Sequence, residues 1–212
     1  MSTQLISDYP LFPLPLVAFP GCRLPLQIFE PRYLDLVKSS LSSNSDFGIV
    51  TIVPQALGDE RETGDDAGHV EINLIGTSVR IVDFNEQPNG LLGIVCEGQQ
   101  KFSVGDVYRS ENKLLMAEVE MYKPELSVVV PDEFEELVHV LTSLLAHPYV
   151  VNLGYLEQPL AYWLADAARL SFYLSYLLPF SNGQRYQLLA LSEPLDRLAM
   201  VQSLLEKIDG TA

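Results

Sequence analysis

Two cysteines, Cys22 and Cys96, and three histidines, His69, His139 and His147, are the residues on which metal or nucleophilic chemistry could rest in this chain. A structural or catalytic zinc needs three or four such ligands, usually at short regular spacing. His139 and His147 lie eight residues apart rather than four, so H-E-x-x-H is absent, and no C-x-x-C pair exists. A cysteine nucleophile with a histidine base would have to be assembled across the fold, and the plainer expectation is that both cysteines are small buried apolar residues. No lysine follows a glycine, which excludes the phosphate loop G-x-x-x-x-G-K-[ST]. The nearest approach to a G-x-S-x-G nucleophile turn, Gly76-Thr77-Ser78-Val79-Arg80, lacks its second glycine. The acidic run Asp59 to Asp66 fails as a calcium loop: with Gly64 sixth of twelve, Arg61 and Val70 fall where oxygen ligands are required. The expectation is no catalytic residue, no metal ligand and no cofactor.

The remaining chemistry is recognition. Between Pro159 and Leu178 the spacing predicts one helix with two stripes. Leu160, Leu164, Ala167, Leu170, Leu174 and Leu177 mark a core face, while Tyr162, Asp166, Arg169, Tyr173 and Tyr176 recur at intervals of four, three, four and three. Tyrosine and arginine are favoured in binding hot spots, so Tyr162, Arg169, Tyr173 and Tyr176, with Tyr155 just upstream, are candidate binding residues lining a groove. The competing expectation is a helix buried on both sides, with Asp166 paired to Arg169 one turn away. Burial of the rings decides between the two.

Charge narrows the partners. The 212 residues carry 28 acidic and 13 basic side chains, a formal net charge of -15. Nine basic residues face eighteen acidic ones up to Val130, and four face ten beyond it, so neither half hides a basic domain. A nucleic-acid binder needs a basic stripe and an anionic membrane surface would repel this chain, so neither partner is expected. The stretch Leu160 to Phe180 has the length of a membrane span, but Asp166 and Arg169 sit near its middle and Pro179 closes it. Two cysteines make no disulfide framework and the first residues lack a secretory signal, so a reducing cytoplasm is expected.

The elements that must position these groups change character midway. Short runs rich in Val, Ile, Leu or aromatics predict strands at Leu24 to Phe29, Phe47 to Val53, Val70 to Ile75, Ser78 to Phe84, Leu91 to Glu97, Lys101 to Val107 and Leu115 to Tyr122. Pro88-Asn89-Gly90, Glu97-Gly98, Gly105-Asp106 and Glu111-Asn112 read as turns. One early helix starts at Pro31 and ends in the serine-rich run near Ser43. After Pro124 the period is helical, with helices from Pro131, from Pro159 to Leu178, from Gly183 to Leu191, and from Ser192 to a stop at Gly210. The fold class is α+β, with a β-rich unit over 1–124 and a helical bundle over 125–212.

One segment is more specific than these patterns. Phe12-Pro13-Leu14-Pro15-Leu16-Val17-Ala18-Phe19-Pro20-Gly21, followed by Leu24-Pro25-Leu26-Gln27-Ile28-Phe29-Glu30-Pro31-Arg32-Tyr33, resembles the opening signature of the Lon N-terminal domain family. That family supplies the substrate-binding region of ATP-dependent Lon proteases and also occurs as a stand-alone protein and within cereblon. The run Gly76 to Phe84, then Gly90 to Gly98 and Phe102, resembles the family's central hairpin. Leu177-Leu178-Pro179-Phe180 and Gln187 to Leu198 resemble its closing helices. The resemblance spans about Tyr9 to Ile208.

It implies a PUA-like β pseudo-barrel followed by a helical bundle, and binding of peptide or protein clients without the ATPase and Ser-Lys peptidase domains of a Lon protease. Pro13, Pro20, Gly21, Phe29, Glu30, Pro31, Arg32, Tyr33 and Arg80 carry the family signature and are expected to be structural: Glu30 serving free amides at the helix start, Arg32 satisfying a carboxylate or carbonyls. A groove between barrel and bundle is the expected binding region. Two other functions remain alternatives, a peptidase-like hydrolase with an unpaired Ser or Cys nucleophile, and RNA binding by the PUA-like barrel, which the net charge disfavours.

Overall fold

The computed structural model describes residues 4–53, 71–87, 90–147 and 159–209. The acidic run Asp59 to Asp66, His69, Val70, Pro88, Asn89, Tyr155 and Gly210 lie outside the described residues. Contacts divide the chain into two units: residues 1–18 with 24–123, and residues 19–23 with 124–212.

The first unit is built from six strands: β1 (Gln4–Leu14), β2 (Arg23–Ile28), β3 (Phe47–Thr51), β4 (Ile75–Glu86), β5 (Leu92–Arg109) and β6 (Leu115–Met121), with helix α1 (Pro31–Ser43) after β2. The sheet order is β2-β5-β4-β3-β1-β6, and β6 also pairs with β5. Five strands therefore close on themselves, which leaves no free edge among them, while β2 is added outside. β1 and β3 run parallel; β1 with β6, β3 with β4, β4 with β5 and β5 with β6 are antiparallel. β6 alternates buried residues with outward ones, half-buried Met116 and exposed Glu118 and Glu120, the period of a strand with one face inward.

Two apolar clusters follow from that alternation. Tyr9, Leu11, Val50, Phe102, Leu115, Ala117 and Val119 form one. Phe12, Ile28, Phe47, Ile49, Val79, Ile94 and Cys96 form the other, closed by Tyr33, Leu36 and Val37 of α1. Adjacent residues Leu11 and Phe12 thus serve opposite faces of β1. The Phe102 ring fills the space over Gly48 and Gly76, where an added Cβ would come within 2.5 Å of it.

β5 corrects the sequence reading. The predicted strands Leu91 to Glu97 and Lys101 to Val107 are one 18-residue strand, and the expected turns at Gly98 and Gly105-Asp106 are irregularities in its pairing with β4 and with β6. Glycine in a strand marks a bulge as readily as a turn, and the bulges let one strand bend around the closed sheet. The predicted strand at Val70 to Ile75 reduces, among described residues, to a single bridge from Ile72 to Ile52, with Ile75 opening β4.

The second unit holds five helices among the described residues: α2 (Glu135–Ala146), preceded by a 3₁₀ turn over Asp132–Phe134, α3 (Leu160–Leu164), α4 (Ala167–Leu177), α5 (Asn182–Ala190) and α6 (Pro194–Asp209). The single helix predicted over Pro159 to Leu178 is two, because Asp166 takes an extended conformation and caps α4 with its side chain. The helix predicted from Ser192 starts at Pro194. Ser181 opens α5 with a capping box, trading hydrogen bonds with Gln184. No helix among the described residues is long and apolar enough to cross a membrane.

Candidate functional site

The second unit gathers most of the candidate binding residues around a stack of rings. Trp163 on α3 is buried and lies face to face with Tyr173 on α4, centroids 4.2 Å apart. Tyr162 meets the edge of Trp163 at 5.2 Å, and Tyr173 is tilted against Tyr176 at 6.3 Å. The Tyr176 hydroxyl donates to the Arg23 carbonyl at 2.8 Å. Gly21 lies beside Trp163 with a φ of +75°, and an added Cβ there would sit 3.6 Å from the indole. A positive φ at the corner between Pro20 and Cys22 is cheap for glycine alone. The Cys22 thiol donates to the Phe172 carbonyl at 3.9 Å, and Phe19 packs against the Phe172 ring.

Burial separates the tyrosines. Tyr173 is 2% exposed, and burial pushes its phenol pKa up, so it belongs to the core rather than to an exposed stripe. Tyr176 is half-buried and tied down through its hydroxyl. Tyr162 is 37% exposed and presents its ring to Arg169, whose guanidinium carbon stands 4.0 Å from the centroid. Arg169 also donates to the Tyr162 carbonyl at 3.3 Å. The uninterrupted stripe of the sequence reading is therefore broken: exposed Tyr162 and half-buried Arg169 form a cation–π pair, and Tyr173 is buried, stacked on the Trp163 that meets Tyr162. The Trp163 indole N–H is buried and has no hydrogen-bond partner.

Asp166 is not ion-paired with Arg169 as expected. Its carboxylate accepts the Arg169 backbone N–H at 3.1 Å, the Ser127 hydroxyl at 2.6 Å and the Val128 N–H at 3.2 Å. One buried carboxylate thus starts α4 and fastens the segment before α2. The Ala167 N–H adds a bond to the Val128 carbonyl at 2.8 Å.

Composition gave no sign of the second polar cluster. Arg197 on α6 is fully buried and bonds Glu125 through both terminal nitrogens, at 2.5 and 3.0 Å. It further donates to Ser171 at 3.0 Å, to the carbonyls of Leu188 at 3.1 Å and Leu191 at 2.8 Å, and stacks on Phe172 at 3.8 Å. Burial lowers its pKa and the Glu125 carboxylate opposes that shift. Every bond serves the unit's own interior, so this is a structural keystone.

In the first unit the signature residues divide similarly. Pro31 opens α1. Glu30 does not cap it with its side chain, contrary to expectation; its backbone carbonyl accepts from Tyr33 and Leu34, and its carboxylate pairs with Arg32. Tyr33 stacks on Phe12 at 3.9 Å. Arg80 holds Asp46 through two bonds, at 2.8 and 3.2 Å. Pro13 lies half-buried in β1 and Phe29 is exposed, while Pro20, in the segment 19–23 that belongs to the second unit, is half-buried before Gly21. Among the described residues no group of three His, Cys, Asp or Glu could hold a metal ion. Cys22 and Cys96 are both buried free thiols.

Comparison with known proteins agrees with this architecture. Residues 8–207 match the family model of the ATP-dependent protease La (LON) substrate-binding domain. The crystal structure of a Lon N-terminal domain protein from Xanthomonas campestris superposes with a TM-score of 0.73 at 30% identity, covering 93% of this chain and 98% of that one. The N-terminal domain of the Mycobacterium avium complex Lon protease shares the fold at a TM-score of 0.60 and 16% identity, over 92% of this chain and 95% of that one. A Lon protease of Parabacteroides distasonis is 23% identical over 198 residues, and one of Amoebophilus asiaticus 28% over 130 residues. These alignments cover 89% and 61% of this chain but 22% and 15% of the proteases' own length. With a family model running through nearly all of both units, and a closed sheet followed by helices as in the Lon N-terminal domains, the chain belongs to the Lon substrate-binding domain family.

Proposed function

We propose that this chain recognises polypeptide clients, without hydrolysing them, and that the Tyr162 and Arg169 pair on the helical unit is a point of contact. The observation that carries the reading is the pair itself: an exposed ring and a half-buried guanidinium held on a buried aromatic stack, in a family defined by substrate binding. A rigid amphipathic ring contributes contact area at little cost in rotamer entropy, and the guanidinium has donors left for client carbonyls or carboxylates. Trp163 joins the pair to Tyr173, and Tyr173 to Tyr176, while Tyr155 remains a candidate from sequence. The hydrolase alternative finds little support, since burial pushes the Cys96 thiol up to about 12, far from a thiolate nucleophile. The net charge of -15 favours basic clients over nucleic acid, and two buried free thiols fit a reducing cytoplasm.

The test uses fluorescein-labelled, reduced and alkylated lysozyme, a permanently unfolded basic chain, in 0.15 M salt. Saturable binding is expected, with Tyr162→Ala and Arg169→Ala each weakening it by about fivefold or more, since hot-spot truncations cost upward of ~1 kcal/mol. Melting temperatures should stay close to wild type. Absence of binding overturns the client reading, and equal binding by both variants removes the site. Probe cleavage that one Ser or Cys substitution abolishes would establish the hydrolase instead.

A further inference from the structure

Leu126-Ser127-Val128-Val129-Val130 crosses the surface of the helical unit outside any helix or strand. Its β-branched composition is that of a strand. Two observations fix it as extended: Val130 precedes Pro131, which disfavours the helical region, and the N–H and C=O of Val128 point to the same side. That side is occupied, the N–H by Asp166 and the C=O by the Ala167 N–H. In an extended chain the main-chain groups of the residues before and after point the opposite way. The N–H and C=O of Ser127 and Val129 have no hydrogen-bond partner among the described residues. Leu126 and Val129 are 82% and 80% exposed.

We infer that this segment is a template for strand addition, pairing through Ser127 and Val129 with an extended stretch of a basic client polypeptide. The inference deepens the client-binding reading and rests on it: the carboxylate that anchors the segment also starts the helix carrying Arg169. Main-chain pairing supplies affinity without sequence demand, and the apolar side chains at Leu126 and Val129 supply contact. Charge selects the occupant. The segment runs into four exposed acids, Asp132, Glu133, Glu135 and Glu136, so lysines flanking an incoming strand are attracted. Pairing of two copies of this chain would instead bring together two molecules that each carry -15. A free edge rich in valine is an aggregation hazard that proteins ordinarily blunt with proline, lysine or a bulge, and here none interrupts residues 126–130.

The probe is a fluorescein-labelled peptide, Lys-Thr-Val-Thr-Val-Thr-Lys, with a twin methylated on alternate backbone nitrogens of its pairing edge. Binding to the full chain is expected for the first peptide and about tenfold weaker or undetectable for the twin. Val129→Pro removes the N–H in a conformation proline tolerates, and is expected to weaken binding similarly with an unchanged melting temperature. Should that variant melt early, the methylated twin decides alone. Equal binding of the two peptides, or no saturable binding by about 1 mM, overturns the inference. So does a concentration-dependent dimer abolished by Val129→Pro, which would make a second copy the occupant. If Tyr162→Ala loses unfolded lysozyme while the twin peptides bind alike, the client reading stands and the strand template falls; loss of neither probe's binding in any variant removes both sites.

Discussion

Three side chains carry consequences far larger than their size. Arg197 is the sole cation inside its cluster among the described residues, and truncating it to Met takes the guanidinium from the largely enclosed Glu125 carboxylate. Breaking a buried pair from one side costs about 3–5 kcal/mol, so Arg197→Met should lower the denaturation midpoint sharply. Adding Glu125→Leu should recover part of the loss, which a double-variant cycle measures. Asp166→Ala removes a cap and the anchor of Ser127 and Val128 together; a cap alone is worth about 0.5–2 kcal/mol, and a loss at or above the top of that range is expected in urea unfolding. Cys96 gives a pH dependence. Burial lifts its thiol from 9.0 to about 12, so the folded protein keeps a proton that the unfolded chain releases. Its contribution is complete below pH 9 and is lost as pH rises from 9 to 12. Alkylation of Cys96 at pH 8.5 should therefore proceed no faster than global unfolding, and rapid labelling of the native protein would contradict its burial. The burial of both cysteines was legible in the sequence from composition alone. The roles of Asp166 and Arg197 were not, because they are defined by distant partners: a backbone N–H 38 positions away for Asp166 and a carboxylate 72 positions away for Arg197.

At the scale of elements, the helical half was read through its periodicity, and most of its starts through proline and serine. The break at Asp166 escaped because leucines on either side of it continue one apparent stripe while the backbone does not. In the sheet, hydrophobic runs located the strands, but glycine was ambiguous: Gly98 and Gly105 signal departure from regular pairing without saying whether the chain turns back or bends. Only closure of the five strands decides, since β5 must serve β4 and β6 in turn. Gly76 shows the packing side of the same residue type. Gly76→Ala would drive a methyl group against Phe102 and the Ile49 carbonyl, and overpacking of that kind costs about 1–3 kcal/mol. Thermal unfolding should show the loss, and Phe102→Leu in the same chain should relieve part of it.

The whole molecule is governed first by its charge. At -15 the folded state repels itself, and added salt screens that repulsion more than it weakens exposed pairs such as Arg80 with Asp46. The melting temperature should rise between about 0.01 and 0.15 M salt, where the screening length shrinks from ~30 to ~8 Å; a fall would show that surface ion pairs dominate instead. The family signature was visible as a rare coincidence of prolines, a Pro-Gly corner and an aromatic helix start, which is why fold and family were accessible from the chain alone. What those prolines do was hidden. The pentapeptide Phe19 to Arg23 leaves the first unit, joins the second, and returns at Leu24. On a ribosome this has a temporal meaning: Cys22 emerges 150 residues ahead of Phe172, whose carbonyl receives its thiol. At about 5–20 residues per second, the corner waits on the order of ten seconds for its partner helix, longer than a small domain needs to fold. Released from the N-terminal end of the nascent chain, residues 1–123 would meet the cell with Phe19 and Cys22 uncovered, and a holding chaperone has its natural window there.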